Sequence, residues 1–279
     1  MRQPRYALAA YDPEASPYDE IWALCEDAKH LFAFADQLPD RPGIPEGRDA
    51  PPDELAEPPV RLLGCSPRGA LRGALESGKG DLGHGRVLRL GRLGRPLQHA
   101  VEGEVVAWIP SARGRGLVDL ALDPWTVRPP RSAGKVWDTW WAGRPTEPNS
   151  WALPGMDTEG RSHWLAIARE HGDRRRGPDA APGATYHLDG RHITDEPAFY
   201  CALGEAVNGP GGYVGRTADT LSDHLRGGLG PPLPFTLVWH DAHTARTCLG
   251  VTPRTGGGPP SFEELLALLT RTNIGVVLA

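Results

Sequence analysis

No apolar run in this chain goes far before a glycine or a proline interrupts it. There are 35 glycines and 29 prolines among 279 residues. Glycine costs a helix or strand interior conformational entropy, and proline removes a backbone donor, so frequent interruption of the elements is expected. The expectation is packed cores of short elements joined by long loops. Nine tryptophans and a hydrophobic fraction of 39% supply the apolar surface for such cores. A chain of this length has room for two domains of ordinary size.

The same interruptions leave no run of the ~18 apolar residues that a membrane span needs, and no long apolar segment opens the N-terminus. A soluble, cytoplasmic protein is expected. The net charge of -5 runs against nucleic-acid binding, which calls for a basic surface. Richness in Arg, Ala, Gly and Pro with only two methionines is the usage of a GC-rich bacterial coding sequence. Cys25, Cys65, Cys201 and Cys248 form no CxxC pair. Each sits in an apolar neighbourhood, so buried free thiols are expected, with no metal site and no cofactor.

Residues 5–11 read as a strand. The apolar spacing of Tyr18, Ile21, Trp22, Cys25 and Phe32 predicts an amphipathic helix over 18–36. Seven prolines between 37 and 59 mark a loop. Residues 60–64 read as a strand, and Ser66-Pro67 as an N-cap with proline at the first helical position, opening a helix to about Ala74. Short apolar stretches at 86–90, 101–109 and 117–122 complete an α+β domain over 1–130 whose fold family the pattern does not assign. Gly78-Lys79-Gly80 lacks P-loop spacing and reads as a turn. Arg86, Arg89, Arg92 and Arg95 recur every three residues, as an RNA-tracking stripe would. The intervening glycines argue instead for a solvated strand and turn.

Residues 131–183 form a connector. Trp137, Trp140, Trp141, Trp151 and Trp164 lie in or between two helical stretches, 135–141 and 162–170, with Gly143-Arg144-Pro145 and Pro148-Asn149 as breakers. The tryptophans suit either a stacking platform for a ligand or, as preferred here, packing of the first half onto the second. Residues 172–183 are charged, then rich in Pro and Gly, and read as a linker.

From residue 184 the elements become orderly. A strand around Tyr186–Leu188 leads to a helix with Thr194 as N-cap and Phe199, Ala202, Leu203, Ala206 and Val207 as its buried stripe. A short helix over 218–226 follows and ends at Gly227-Gly228. Residues 235–239 and 274–278 are apolar strands of the kind buried on both faces, separated by a helix that Ser261 caps. Residues 184–279 are therefore an α/β domain with a small parallel three-stranded sheet and helical crossovers.

The chemistry concentrates in one stretch of that domain, Gly209-Pro210-Gly211-Gly212-Tyr213-Val214-Gly215-Arg216-Thr217-Ala218-Asp219-Thr220-Leu221-Ser222-Asp223-His224-Leu225. A glycine-rich loop carrying a tyrosine runs into a helix on which Asp219 and Asp223, at i and i+4, share one face. Ala218, Leu221 and Leu225 occupy the other. Two like charges at that spacing repel mildly, so the pair fits either a solvated face or a surface awaiting a cationic partner.

The order of elements, the Tyr-x-Gly before Asp-x-x-x-Asp and the closing apolar strand resemble the barstar family, inhibitors of small guanyl-specific ribonucleases such as barnase. The phrases His187-Leu188-Asp189-Gly190-Arg191 and Cys201-Ala202-Leu203-Gly204-Glu205-Ala206-Val207-Asn208-Gly209 are similar to those of longer barstar-like proteins. The resemblance covers about residues 184–279. It implies that Tyr213 and Gly215 form the contact loop and that Asp219 and Asp223 enter the ribonuclease active site, where substrate phosphate would lie. Thr217, Ser222, Arg226 and Gly227 fall within the same partner-binding surface, with Glu263 or Glu264 as a further acidic contact. The implied partner is a small basic ribonuclease, with no membrane and no nucleic acid bound, and an immunity-type role without catalysis.

Three positions depart from the family pattern. Thr217 stands where asparagine is usual, and Ser222 and Gly228 where aromatic residues are usual. Arg226, three residues beyond Asp223, could pair with it internally instead of meeting a partner. The domain carries nine acidic residues against six arginines, which suits a basic partner. His224 beside Asp223, and His240-Asp241 with His243, lack a nucleophile motif and the geometry of a base–carboxylate pair. Two alternatives stay open: the barstar fold as an interaction module for another partner, or RNA binding by the first half.

Overall fold

The computed structural model describes residues 3–11, 20–33, 57–78, 82–171, 182–228, 230–252 and 258–279. They fall into two compact units, Met1–Gly134 and Lys135–Ala279. The proline-rich loop expected between 37 and 59 and the turn at Gly78-Lys79-Gly80 lie largely outside the described residues, as does most of the 172–183 linker.

The first unit is a barrel. Its strands are β1 (Tyr6–Ala10), β2 (Ile21–Cys25), β3 (Asp27–Lys29), β4 (Val60–Pro67), β5 (His84–Leu90), β6 (Pro96–Pro110) and β7 (Val118–Pro124), with one helix, α1 (Gly69–Glu76), between β4 and β5. The order β2-β1-β5-β6-β7-β4 closes on itself because β2 also pairs with β4, and β3 is appended to β4. Neighbours run antiparallel throughout. Closure leaves the six strands of the barrel without an open edge. The interior is filled by alternate residues, as along β7, where Val118, Leu120 and Leu122 are buried.

Three expectations for this unit change. The helix predicted over 18–36 is strand over the described residues 21–29. Ile21, Trp22 and Cys25 fit a helical face, but the cross-strand partners of β1 and β4 impose the strand alternation, burying Ala23 and Cys25. Ser66-Pro67 still belongs to β4, and α1 begins at Gly69 behind Arg68, which gives no side-chain cap. The arginine repeat is no stripe, because residues three apart on a strand point to opposite faces. Arg86 pairs with Glu102 at 2.7 Å, whereas Arg89 is 1% exposed, donates to the Arg5 carbonyl and lies over the Tyr6 ring.

The second unit begins inside α2 (Arg131–Trp140), whose residues from Lys135 onward belong to it. A 3-10 turn (Ser150–Ala152) and α3 (Thr158–His171) follow. Then come β8 (Thr185–Asp189), α4 (Glu196–Asn208), α5 (Ala218–Arg226), β9 (Phe235–His240), α6 (Ala242–Leu249), α7 (Phe262–Arg271) and β10 (Ile274–Leu278). The sheet has the order β10-β9-β8, with both pairings parallel.

One face of this sheet is packed. Phe235, Leu237 and Trp239 of β9 are buried with Leu188 and Ile274, and the Trp239 ring meets Phe199 of α4 at 5.5 Å and Phe262 of α7 at 5.2 Å. The expectation of strands buried on both faces is thus corrected. β9 alternates, and in β10 only Ile274 is buried while Val277 is 51% exposed. Of the connector's tryptophans Trp137, Trp140, Trp151 and Trp164 are buried, and Trp140 meets Trp164 edge-on at 5.4 Å.

Capping sets the helix starts. Asp195, one residue after the expected Thr194, accepts from the Ala198 amide to cap α4, while Ser261 caps α7 as expected and Glu264 completes a reciprocal capping box with it. Helix α6 follows directly on β9, with His243 in its first turn; Asp241 turns the chain into it with φ +51°. Cys25, Cys65 and Cys201 are buried, but Cys248 is exposed on α6, against expectation. Among the described residues no helix is long and apolar enough to cross a membrane.

Candidate functional site

The loop between α4 and α5 owes its shape to close backbone approaches. A Cβ on Gly204 of α4 would come within 2.5 Å of the Gly212 carbonyl, so the two backbones touch. Gly215 has φ +141°, and a Cβ there would lie 2.6 Å from the Leu221 amide. Only glycine lets the loop turn this tightly over the first turn of α5. Tyr213 is thereby held half-buried, its carbonyl accepting from Asn208 Nδ2 at 2.9 Å and its ring meeting His224 edge-on at 6.0 Å.

Helix α5 then presents its face. Leu221 and Leu225 are buried, while Asp219 and Asp223 are exposed on the same solvent side. Neither carboxylate has an ion-pair partner among the described residues, and Arg226 is not paired with Asp223 there. Asp219 is nonetheless felt inside the unit. The Tyr200 phenol, fully buried, is raised well above its ordinary value by burial first, then by the Glu196 and Asp219 carboxylates.

The remaining expected residues serve the scaffold. The Thr217 hydroxyl accepts from the Thr220 amide, and the Thr220 hydroxyl accepts from the Thr217 amide, closing a capping box. Asparagine and threonine are both N-cap residues, so the departure at Thr217 keeps the helix start. Ser222 donates back to the Ala218 carbonyl. The Gly227 amide donates to the Asp223 carbonyl and the Gly228 amide to that of Leu225, closing α5. Glu264 accepts from the Ser261 amide in its cap, and Glu263 pairs with Arg246 at 3.6 Å. Both α7 carboxylates are therefore engaged locally. His240 lies 2.9 Å from His187 across β8 and β9. Among the described residues no three His, Cys, Asp or Glu side chains are gathered to hold a metal.

One contributor went unrecognised in the sequence. Arg144, read there only as part of a helix breaker, donates through Nε to the Pro210 carbonyl at 2.6 Å and through Nη2 to those of Asn208 and Gly209. An arginine between Gly143 and Pro145 carries no sequence signal for such a role. An acidic loop–helix of this kind, with its two aspartates left open, stands in a region that comparison recognises. Residues 183–272 match the model of the barstar (barnase inhibitor) family. The chain carries a barstar domain. No curated protein and no solved structure matches the chain. Within the barstar domain the match takes in β8, α4, α5, β9, α6 and α7, and with them the whole acidic surface; Arg144 precedes it.

Proposed function

We propose that this protein inhibits a small, basic, guanyl-specific ribonuclease of the barnase kind by inserting the Tyr213 loop and the Asp219/Asp223 face of α5 into the enzyme's active site. The observation that carries the reading is that these two carboxylates are exposed, share a helix face and have no internal counter-ion among the described residues. A nuclease cleft is built to receive anionic phosphate, so its arginines, lysines and histidines would meet carboxylates placed there. The protein acts by occupying the site rather than by chemistry of its own, as an immunity-type inhibitor in the cytoplasm.

The test is inhibition of a purified barnase-type ribonuclease by the full chain at low and moderate salt, beside the Asp219→Ala/Asp223→Ala variant. Stoichiometric inhibition that weakens with salt and disappears in the variant is the expected outcome. Equal inhibition by the variant would sink the site, and no inhibition of several such enzymes would sink the partner class.

A second reading has its own support. Ser222 is folded back on its helix and Gly228 has no side chain, so neither offers the aromatic anchor usual in the family. A barstar domain turned to a different protein partner fits that loss. Recovery of one partner by the first unit alone would favour it.

A further inference from the structure

We propose that Arg144, which lies outside the family match, is the positioning residue for the inhibitory loop, and that the helical segment before residue 183 is thereby part of the inhibitor. The inference rests on the function proposed above, but its geometry does not. Helix α4 ends at Asn208, with Gly209 as its C-cap. The last carbonyls of any helix lack intrahelical partners and carry the negative end of its dipole. Here those of Asn208 and Gly209, and the Pro210 carbonyl beyond, all accept from the one Arg144 guanidinium. A cation with a planar fork of donors suits three carbonyls in a row better than a point charge does.

The loop is also seated on the same segment. Gly211, at φ +69°, faces Pro145, Arg144 and Trp140, and a Cβ there would lie 3.0–3.2 Å from their side chains. From that seat the chain has only to pass Gly212 to reach Tyr213. The Gly212 amide donates to the Gly209 carbonyl and Asn208 Nδ2 to the Tyr213 carbonyl, so the carbonyls that Arg144 holds belong to the same small network that orients the tyrosine. The segment carrying Arg144 is anchored in turn: Asn149 and Trp151 donate to Glu205 of α4 at 2.8 and 3.1 Å.

A loop fixed before binding loses less freedom on binding. The experiment measures amide hydrogen exchange in the full-length wild type, Arg144→Ala and Arg144→Lys, with inhibition of a barnase-type ribonuclease recorded on the same samples. Arg144→Ala is expected to speed exchange at Gly212 and Val214 by about tenfold or more, as loss of charge-assisted bonds requires, and to weaken inhibition in parallel. Exchange in β9 stays at the wild-type rate. Arg144→Lys, which keeps the charge but not the fork, recovers part of both. Three results would overturn the proposal: unchanged loop exchange in Arg144→Ala, exchange raised equally in β9, or a loosened loop that inhibits as well as wild type. If the wild type inhibits no such enzyme, the functional reading falls, while the exchange rates at Gly212 and Val214 still decide whether Arg144 sets the loop.

Discussion

The second unit treats its carboxylates in two different ways. At the end of β8 and along α4 three of them are engaged. Asp189 accepts from Arg191 and from Asn149 Nδ2; Asp195 caps α4 and binds Thr158 and Arg161; Glu205 accepts from Asn149 and Trp151. On α5, Asp219 and Asp223 face solvent with no counter-ion among the described residues. The first group ties the segment before residue 183 to the barstar domain. The second does nothing for the fold that its neighbours do not already do. A carboxylate with internal partners is structural, and one displayed without them adds only mild repulsion until a cation arrives.

The largest effect that tests this contrast is on binding. Asp223→Ala should lower affinity for a barnase-type ribonuclease by more than about 2 kcal/mol, a scale known from the barnase–barstar complex itself rather than from this chain. Its melting temperature should not fall. A variant that binds normally or unfolds early removes the distinction.

Asp195→Ala should do the reverse, costing about 2 kcal/mol of stability through the lost cap and the stranded Arg161 guanidinium, with inhibition by the folded protein unchanged. Asp195→Asn, which still caps, should recover roughly half, and chemical denaturation measures both. Acid should act on the same engaged region. Burial lowers the His163 pKa to about 4, so between that value and its ordinary one near 6.5 the unfolded chain binds the extra proton. Stability contributed there is complete above pH 6.5 and is lost as pH falls towards 4, by about 1–2 kcal/mol after allowance for partial solvation.

Asp189, held well below the usual carboxylate range first by its bond to Arg191, adds a further loss once pH drops below about 4. His163→Gln should flatten the upper part of that curve. Smallest of all, Asp219→Asn relieves the repulsion with Asp223 but gives up a negative charge in the first turn of α5, so stability should change by no more than about 0.5 kcal/mol; a larger loss would mean that Asp219 has a structural partner.

What could be read from the sequence about this site was what is local. The cap at Ser261, the glycines ending α5, and the placement of Asp219 and Asp223 on one face with Leu221 and Leu225 on the other depend on residues within four positions of one another. The same locality misled over 18–36, where Ile21, Trp22, Cys25 and Phe32 satisfy a helical period as well as a strand. Thr217 is instructive between the two. It departs from the family pattern in the sequence, and its hydroxyl starts the helix on which the aspartates stand.

By itself, then, the sequence determined the short elements, the parallel three-stranded domain and the acidic helix, because capping, glycine and periodicity act over a few residues. Only the tertiary structure decided that β2 meets β4 to close a barrel, that the sheet is covered on one face, and that Arg144 reaches the end of α4. The β2–β4 pairing joins Ala23 to Pro67, and Arg144 reaches carbonyls 64 to 66 positions away. The strength of such pairings comes from removing water from backbone and charge that neither segment, taken alone, shows to be unsatisfied.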